Sequence, residues 1–296
     1  MRVVLVTGGT GSFGQAFIRH LLDTTDSLVR VFSRDEQKQD RMKREVHDAR
    51  VRYLLGDVRD AARVKRAVRG VDLVVHAAAL KIIPSGEYNP DEVVRTNING
   101  SENVINACID EKVAKLICIS SDKAVAPVNL YGATKMCMER LAVLANSYSG
   151  DTAISVVRYG NVIGSRGSIL TILKEQADKG FLCITHPLAT RFWMSLREAC
   201  ELVSSVSSLT TGGSIYIPKI RSCNVAGLCR EIFPMTGIEY VGMRPGEKLA
   251  EWLTNEYEVK EDVGWAWRVT DRWSSGQKPI SSDDAAILQD PALLVA

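Results

Sequence analysis

The sequence predicts an α/β fold, a doubly wound parallel sheet followed by a smaller C-terminal unit. Three observations carry this reading. Short runs with apolar residues on consecutive positions alternate with helical stretches through the first half of the chain. A glycine-rich turn joins the first run to the first helix, and the regular alternation stops near residue 160. Strands that are apolar on both faces and separated by helices belong to a parallel sheet covered on both sides.

The first strand is Arg2-Val3-Val4-Leu5-Val6, ended by Gly8-Gly9. Phe13, Phe17 and Leu21 recur at helical spacing and place a helix over residues 12–22. Residues 28–32 form the next strand and 36–46 a charged helix. Further strands are expected at 51–55, 73–76, 116–120 and 154–158, separated by helices at 60–68, 91–111 and 130–147. In the second half, 168–179 and 195–209 are helical. Ser195 opens the latter as an N-cap with Glu198 three residues on. Residues 215–217 form a short strand. The acidic tail after Asn255 carries three of the five tryptophans and shows no period.

Composition narrows the function classes. The 296 residues are 46% apolar and 24% charged, an ordinary globular balance. With 37 basic against 35 acidic side chains the net charge is +2, which argues against a dedicated nucleic-acid partner. No apolar run approaches the ~18 residues that span a bilayer. The start MRVVLVTGGTG reaches glycines too soon for a secretory signal. A soluble, cytoplasmic protein with no membrane partner is expected. Seven cysteines without regular spacing do not form a disulfide framework. Cys108, Cys118 and Cys137 lie in apolar or helical contexts and read as free thiols. The four histidines have no metal-ligand spacing, and no metal is expected.

Thr7-Gly8-Gly9-Thr10-Gly11-Ser12-Phe13-Gly14 links the first strand to the first helix. Gly8, Gly11 and Gly14 allow, in turn, a tight bend, close approach of backbone to a pyrophosphate, and close packing of helix on strand. The helix N-terminus offers unpaired N–H groups to phosphates. The pattern predicts a Rossmann-like dinucleotide site that includes Thr10, Ser12 and Phe13. The second strand ends in Ser33-Arg34, where an NAD site carries an acid for the ribose 2′-OH. A hydroxyl and a guanidinium suit a 2′-phosphate, so NADP is favoured over NAD, although Asp35 is adjacent. Asp57 and Val58 follow the third strand, where an Asp accepts from adenine and the next N–H reaches the ring. A helix-capping Asp fits the same position. Ala77-Ala78-Ala79 follow the fourth strand with side chains small enough for a cofactor to lie against the backbone. The expected division is 1–160 as the NADP-binding domain, with segments near 192–217 returning to it, and 161–296 as mainly a substrate-binding domain.

Tyr131 and Lys135 are four apart on one helix face. A lysine beside a phenol favours the phenolate, which takes a hydroxyl proton while hydride leaves the same carbon for a nicotinamide. Ser120-Ser121-Asp122-Lys123 ends the fifth strand, on the ligand-binding edge of a parallel sheet. Ser121 supplies a hydroxyl for a substrate oxygen. Asp122 and Lys123 add an acid and an amine, which suit an elimination if the Asp pKa is raised and the Lys pKa depressed; an ion pair between them is the structural alternative.

TGGTGSFG, HAAA and YGATK together resemble the extended short-chain dehydrogenase/reductase superfamily. The chain is further similar to the inverting UDP-N-acetylglucosamine 4,6-dehydratases of the polysaccharide-biosynthesis family. That likeness rests on SSDKA ahead of YGATK, His76-Ala77-Ala78-Ala79-Leu80-Lys81, Glu87-Tyr88-Asn89-Pro90, Thr96-Asn97, Arg158-Tyr159-Gly160-Asn161-Val162, Gly164-Ser165-Arg166-Gly167-Ser168, Thr190-Arg191-Phe192 and Arg244-Pro245-Gly246-Glu247-Lys248.

The resemblance implies that Tyr131 removes the 4-hydroxyl proton as hydride passes to NADP, that Lys123 takes the C5 proton, and that Asp122 helps water leave C6. Hydride then returns to C6 and a proton reaches C5 from the opposite face. It also implies phosphate-facing roles for Arg191 and Arg244. Arg166 sits in a Gly-Ser loop past the sixth strand, and Lys81 and Asn161 face sugar or pyrophosphate of a UDP-sugar. Glu247 binds ribose or pairs with an arginine. His186 and Gly86 depart from the family pattern, both in the substrate half. A 4-epimerase shares the fold and the Tyr–Lys pair but does not require Asp122 and Lys123. A non-catalytic NADP-binding regulator typically lacks the Tyr–Lys pair. Pairing of helices 91–111 and 130–147 implies a homo-oligomer, a dimer or higher.

Overall fold

A strand with aliphatic residues on consecutive positions has no face to offer water, so helices must cover both sides of its sheet. The computed structural model describes residues 2–273 and 277–283. Its first part runs β1 (Val3–Thr7), α1 (Ser12–Thr24), β2 (Leu28–Ser33), α2 (Glu36–Glu45), β3 (Val51–Leu55), α3 (Ala61–Val68) and β4 (Leu73–His76). Then come α4 (Ile83–Tyr88), α5 (Pro90–Val94), a π-helical turn (Arg95–Asn99), α6 (Gly100–Asp110) and β5 (Lys115–Ile119). A 3-10 turn (Asp122–Ala124), α7 (Leu130–Ala145) and β6 (Ala153–Val157) complete it. The second part holds β7 (Asn161–Val162), α8 (Ile169–Ala177), β8 (Phe181–Ile184), β9 (Thr190–Met194), α9 (Leu196–Leu209), β10 (Ser214–Pro218), β11 (Arg221–Asn224), α10 (Val225–Ile232), β12 (Gly237–Tyr240), β13 (Glu258–Asp262) and β14 (Ala266–Trp273).

The main sheet has the order β13-β14-β10-β6-β5-β4-β1-β2-β3. From β10 to β3 every pairing is parallel; β14 and β13 add on antiparallel. Alternate side chains of each strand enter opposite cores. Leu5, Leu116, Cys118, Ile154 and Ile217 pack with α3, α6 and α7. Val4, Val6, Ile117, Val157 and Tyr216 pack with α1, α2 and α9. The strand order reverses between β1 and β4, which opens a crevice at the carboxyl ends of the strands.

The second unit pairs β8 with β12 and joins β11, β9 and β7 in a small sheet. Its core is Leu173, Leu182, Ile184, Val225 and Cys229, with α8 and α10 outside. Residues 196–218 return to the main sheet, because α9 lies against α1 and β10 extends β6. Two expectations are corrected. The single helix expected over 91–111 is α5, the π turn and α6 in succession. The tail also departs from the C-terminal unit in which the sequence reading places it, since β13 and β14 extend the main sheet. This ribbon at the sheet edge carries polar and charged residues on both faces, so no hydrophobic period marks it. The seven cysteines are free, and Cys108, Cys118, Cys200, Cys223 and Cys229 are buried.

A buried charge cluster ties this late ribbon to the early half. Arg158, at the end of β6, donates two hydrogen bonds to Glu139 of α7 (2.9 and 2.6 Å) and two to Glu258 of β13 (2.9 and 2.8 Å). A fifth goes to the Leu253 carbonyl at 2.8 Å. All three side chains are buried. Removing the cation takes from two buried carboxylates the guanidinium that holds them both. Arg158→Ala is therefore expected to destabilise the fold by about 3–5 kcal/mol, read as a lowered urea midpoint.

Candidate active site

The glycine turn is shaped by absent Cβ atoms. Gly8 has φ +66°, and a Cβ there would stand 2.8 Å from the Ala78 amide nitrogen. On Gly14 it would meet the Gly8 carbonyl oxygen at 2.5 Å. Gly11 is the N-cap of α1 and supplies no side-chain acceptor to the first-turn N–H groups. Those groups face the switch-point crevice, ready for an anion. Phe13 stacks on Phe17 with ring centroids 5.6 Å apart. Thr7 Oγ1 accepts from the Ala78 amide at 3.3 Å, fixing the first turn of Ala77-Ala78-Ala79.

Thr10 and Ser33 hydroxyls hydrogen-bond at 2.8 Å. Asp35 is occupied as the α2 cap, accepting from the Lys38 amide at 2.9 Å. Ser33 and Arg34 are thus the groups left at the end of β2, with Arg34 half-exposed and 3.6 Å from Asp57. Asp57 does not cap α3; Asp60 does. Burial works against the Asp57 charge, but hydrogen bonds from Arg59 outweigh it and hold the carboxyl below its usual range. Val58 is buried against Gly100.

The catalytic turn is an extension of the β5–β6 ladder. The Ser120 amide donates to the Val157 carbonyl at 2.7 Å, and the Asp122 amide to the Tyr159 carbonyl at 2.9 Å. The chain then folds back onto α7 so tightly that a Cβ on Gly132 would lie 2.2 Å from the Lys123 carbonyl oxygen. Asn129 caps α7 by accepting from the Gly132 amide and also donates to the Gly246 carbonyl, both at 2.8 Å. Glu87 accepts from the Leu130 amide at 2.7 Å. Asn97, in the π turn, bonds both backbone groups of Leu80 and donates to Thr134 of α7 at 3.0 Å. These braces bring the β4 loop, the catalytic turn, α7 and the Arg244–Lys248 motif to one place.

Within it, Ser121 Oγ donates to Asp122 Oδ1 at 2.8 Å, and Lys123 Nζ donates to the same oxygen at 3.1 Å. Lys123 Nζ also reaches Asn161 Oδ1 at 3.4 Å and lies 3.5 Å from Glu251 Oε1. Burial raises the Asp122 pKa, an effect the Lys123 cation opposes and the Glu251 charge reinforces. Burial alone would depress Lys123, but the Asp122 and Glu251 carboxylates overcome it and lift its pKa. The depressed lysine expected from sequence is therefore corrected: Lys123 rests as an ammonium in an ion pair. Burial pushes Tyr131 up to about 12, against the favourable field of Lys123. Lys135 donates to the Ile119 carbonyl at 2.7 Å and is depressed to about 8 by burial. Lys123 is the cation whose field favours the Tyr131 phenolate here, while Lys135 holds the Ile119 carbonyl.

The substrate-side residues divide. Arg166 lies over the glycine turn, its amide donating to Ser12 Oγ at 2.9 Å and its guanidinium to the Thr10 carbonyl at 2.5 Å. Lys81 is exposed, and its pKa is lowered by the surrounding protein and then by the Arg166 and Lys123 cations. Arg191 is buried, donating to Glu247 at 2.9 Å and to the Thr190 and Leu249 carbonyls. Glu247 also accepts from Thr185 at 2.8 Å, so it takes the arginine-pairing role. Arg244 is exposed. Sequence reading missed Glu251. The signal was present, a single acid within the apolar run Leu249-Ala250-Glu251-Trp252-Leu253, where burial demands a cation.

A family model described as "Polysaccharide biosynthesis protein" matches residues 4–268. An uncharacterised membrane protein of Methanocaldococcus jannaschii is 47% identical over 87% of this chain and 82% of its own. An inverting UDP-N-acetylglucosamine 4,6-dehydratase of Campylobacter jejuni is 46% identical over 84% of this chain and 76% of its own. A UDP-glucose 4-epimerase of Rickettsia felis is 39% identical over 90% and 82%. The solved structure of Pen from Bacillus thuringiensis superposes with a TM-score of 0.90 at 33% identity, covering 99% of this chain and 96% of that one. No helix among the described residues is long and apolar enough to cross a membrane.

His76 bridges Thr7 (2.7 Å) and Ser101 (3.0 Å) beneath the site. Burial, and then the Lys135 charge, pushes it down to about 3. The unfolded chain binds this proton from about pH 6.5 downward while the native state does not, so stability falls as pH drops from 6.5 toward 3. The slope from this group approaches about 1.4 kcal/mol per pH unit. Urea unfolding at pH 7 and pH 5 is expected to show a smaller difference in His76→Gln than in the parent chain.

Proposed function

Given that the chain belongs to the polysaccharide biosynthesis protein family, within the extended short-chain dehydrogenase/reductase superfamily, we propose that it is a nucleotide-sugar 4,6-dehydratase that inverts C5. Its substrate is UDP-N-acetylglucosamine or a closely related UDP-sugar. The observation that carries this reading is the buried acid–amine pair, Asp122 and Lys123 at 3.1 Å, placed beside Tyr131. Oxidation and reduction at C4 alone require no such pair. The 46% identity to the Campylobacter enzyme supports the same chemistry. The Rickettsia relative favours 4-epimerisation as the second reading.

A nicotinamide dinucleotide fits the residues present, since the Gly8 and Gly14 contacts leave a cradle that a Cβ would fill and Gly11 leaves the α1 N–H groups free. The Gly8–Gly14 turn would hold its pyrophosphate, and Ala77-Ala78-Ala79 would lie against it. When bound, it supplies a reversible hydride acceptor. Ser33 and Arg34 support NADP as the form used, because Asp35 is committed to its cap. Lys81, Arg166 and Arg244 offer cations for the UDP-sugar diphosphate.

Tyr131 takes the proton of the C4 hydroxyl, with Ser121 holding the same oxygen. The resulting C4 ketone acidifies the C5 proton, which Lys123 removes in its neutral form. Asp122, in its protonated form, gives its proton to the hydroxyl leaving C6. The resting ion pair and this reactive pair contain the same number of protons. Moving one proton from Nζ to Oδ1 across 3.1 Å interconverts them; the raised Asp122 pKa favours that shift and the raised Lys123 pKa opposes it.

Proton NMR of the protein with UDP-N-acetylglucosamine in D2O, without added reductant, tests the reading. A new C6 methyl signal with deuterium at C5 is expected, and a change at C4 without a methyl would replace dehydration by epimerisation. Tyr131→Phe is expected to lower kcat by about 10²–10⁴-fold. Arg34→Ala is expected to weaken NADP binding about 10-fold and leave NAD binding unchanged in a titration of intrinsic fluorescence.

A further inference from the structure

Lys123 has a second carboxylate partner. Glu251 is buried, and its Oε1 stands 3.5 Å from Lys123 Nζ, the ammonium that also pairs with Asp122 Oδ1 at 3.1 Å. Glu251 is itself fixed. Its amide donates to Ser282 Oγ at 3.0 Å, and its carbonyl accepts from the Ser282 amide at 2.9 Å. Its other carboxylate oxygen lies 3.2 Å from Lys248 Nζ, and Lys248 donates to the Val125 carbonyl just past the catalytic turn at 2.6 Å. The carboxylate is therefore delivered to Lys123 by a segment remote in sequence and clamped to the turn that Lys123 occupies.

We propose that Glu251 is a positioning residue of the elimination step, acting behind Lys123 as the fixed counter-charge for the ammonium that forms there. The proposal rests on the dehydratase reading above. In that step the C5–H pair becomes the C5=C6 bond, the C6–O bond breaks, the C5 proton goes to Nζ, and the Asp122 proton leaves with the hydroxyl as water. Lys123 gains a positive charge as Asp122 becomes negative and the substrate carries the ketone. A carboxylate at 3.5 Å stabilises the developing ammonium where water is excluded, and it costs no reorganisation because it is already in place. The same carboxylate favours the neutral form of Asp122, the form that donates. Oxidation at C4 moves no charge onto Lys123, so Glu251 has little part in it.

That separation gives a readout beyond loss of activity. In Glu251→Gln, oxidation at C4 proceeds and elimination stalls. The enzyme loaded with NADP is expected to accumulate reduced nicotinamide absorbance at 340 nm on adding UDP-N-acetylglucosamine. Methyl product formation falls 10-fold or more in kcat, with KM within about 3-fold of the parent value. Glu251→Asp, which restores the charge, is expected to recover part of kcat and to lose the accumulation. Circular dichroism melts of both variants show whether the fold is kept. Parent-like kcat in Glu251→Gln overturns the proposal. So does a fall in kcat without reduced nicotinamide, or equal loss in both variants, since each marks a merely structural role. If the parent protein forms no methyl product from any UDP-sugar in a panel, the dehydratase reading itself fails, an outcome separate from any variant.

Discussion

The ammonium of Lys123 lies between two buried carboxylates, and the architecture around it is arranged to hold that contact. Asp122 comes from the end of β5 and Glu251 from the far end of the chain, after the Arg244–Lys248 motif. A buried ammonium needs such counter-charges, and Glu251 is shared between Lys123 and Lys248. The 3-10 turn, the α7 cap on Asn129 and the reach of Lys248 to Val125 each constrain where the ammonium sits. In the proposed reaction, an acid and a base side by side are obtained from this ion pair by displacing one proton.

The parallel sheet makes this possible. All strands from β10 to β3 point their carboxyl ends the same way, so the loops after β1, β2, β4, β5 and β6 converge at one edge. Each loop contributes a different part: the glycine cradle, the Ser33-Arg34 end, the small alanines, the catalytic turn and Asn161. Asn97 lies in a π turn, a wide turn that recurs at functional sites, and from there it couples the β4 loop to α7. The residue carries no chemistry of its own in the scheme. It fixes the distance between the elements that do.

Much of this was legible in the sequence where the information is local. Gly11 and Gly14 are determined by close contact with the Gly8 carbonyl within one turn, and their spacing states that contact. Tyr131, Asp122 and Lys123 are close in sequence and close in space, because the chain reverses between them. Lys135 shares the helix face of Tyr131 and holds the Ile119 carbonyl, while Lys123 adds a field on Tyr131 that spacing did not announce. Arg191 read as a phosphate ligand, but its partners Glu247 and Leu249 lie on a distant segment and bury it. Glu251 and the β13–β14 ribbon were missed for the same reason: their partners, Lys123, Arg158 and β10, lie far earlier in the chain.

The Arg158 cluster has a consequence in time. Glu258 follows Arg158 by 100 residues, while Glu139 precedes it by 19. During synthesis the guanidinium meets Glu139 first, and the five-bond cluster closes only after the chain beyond Glu258 has left the ribosome. Glu251 reaches Lys123 equally late. The half of the chain that contains the glycine cradle and the Tyr131 helix is thus translated well before the charges that complete it, and the last quarter acts as the bolt on a door already hung.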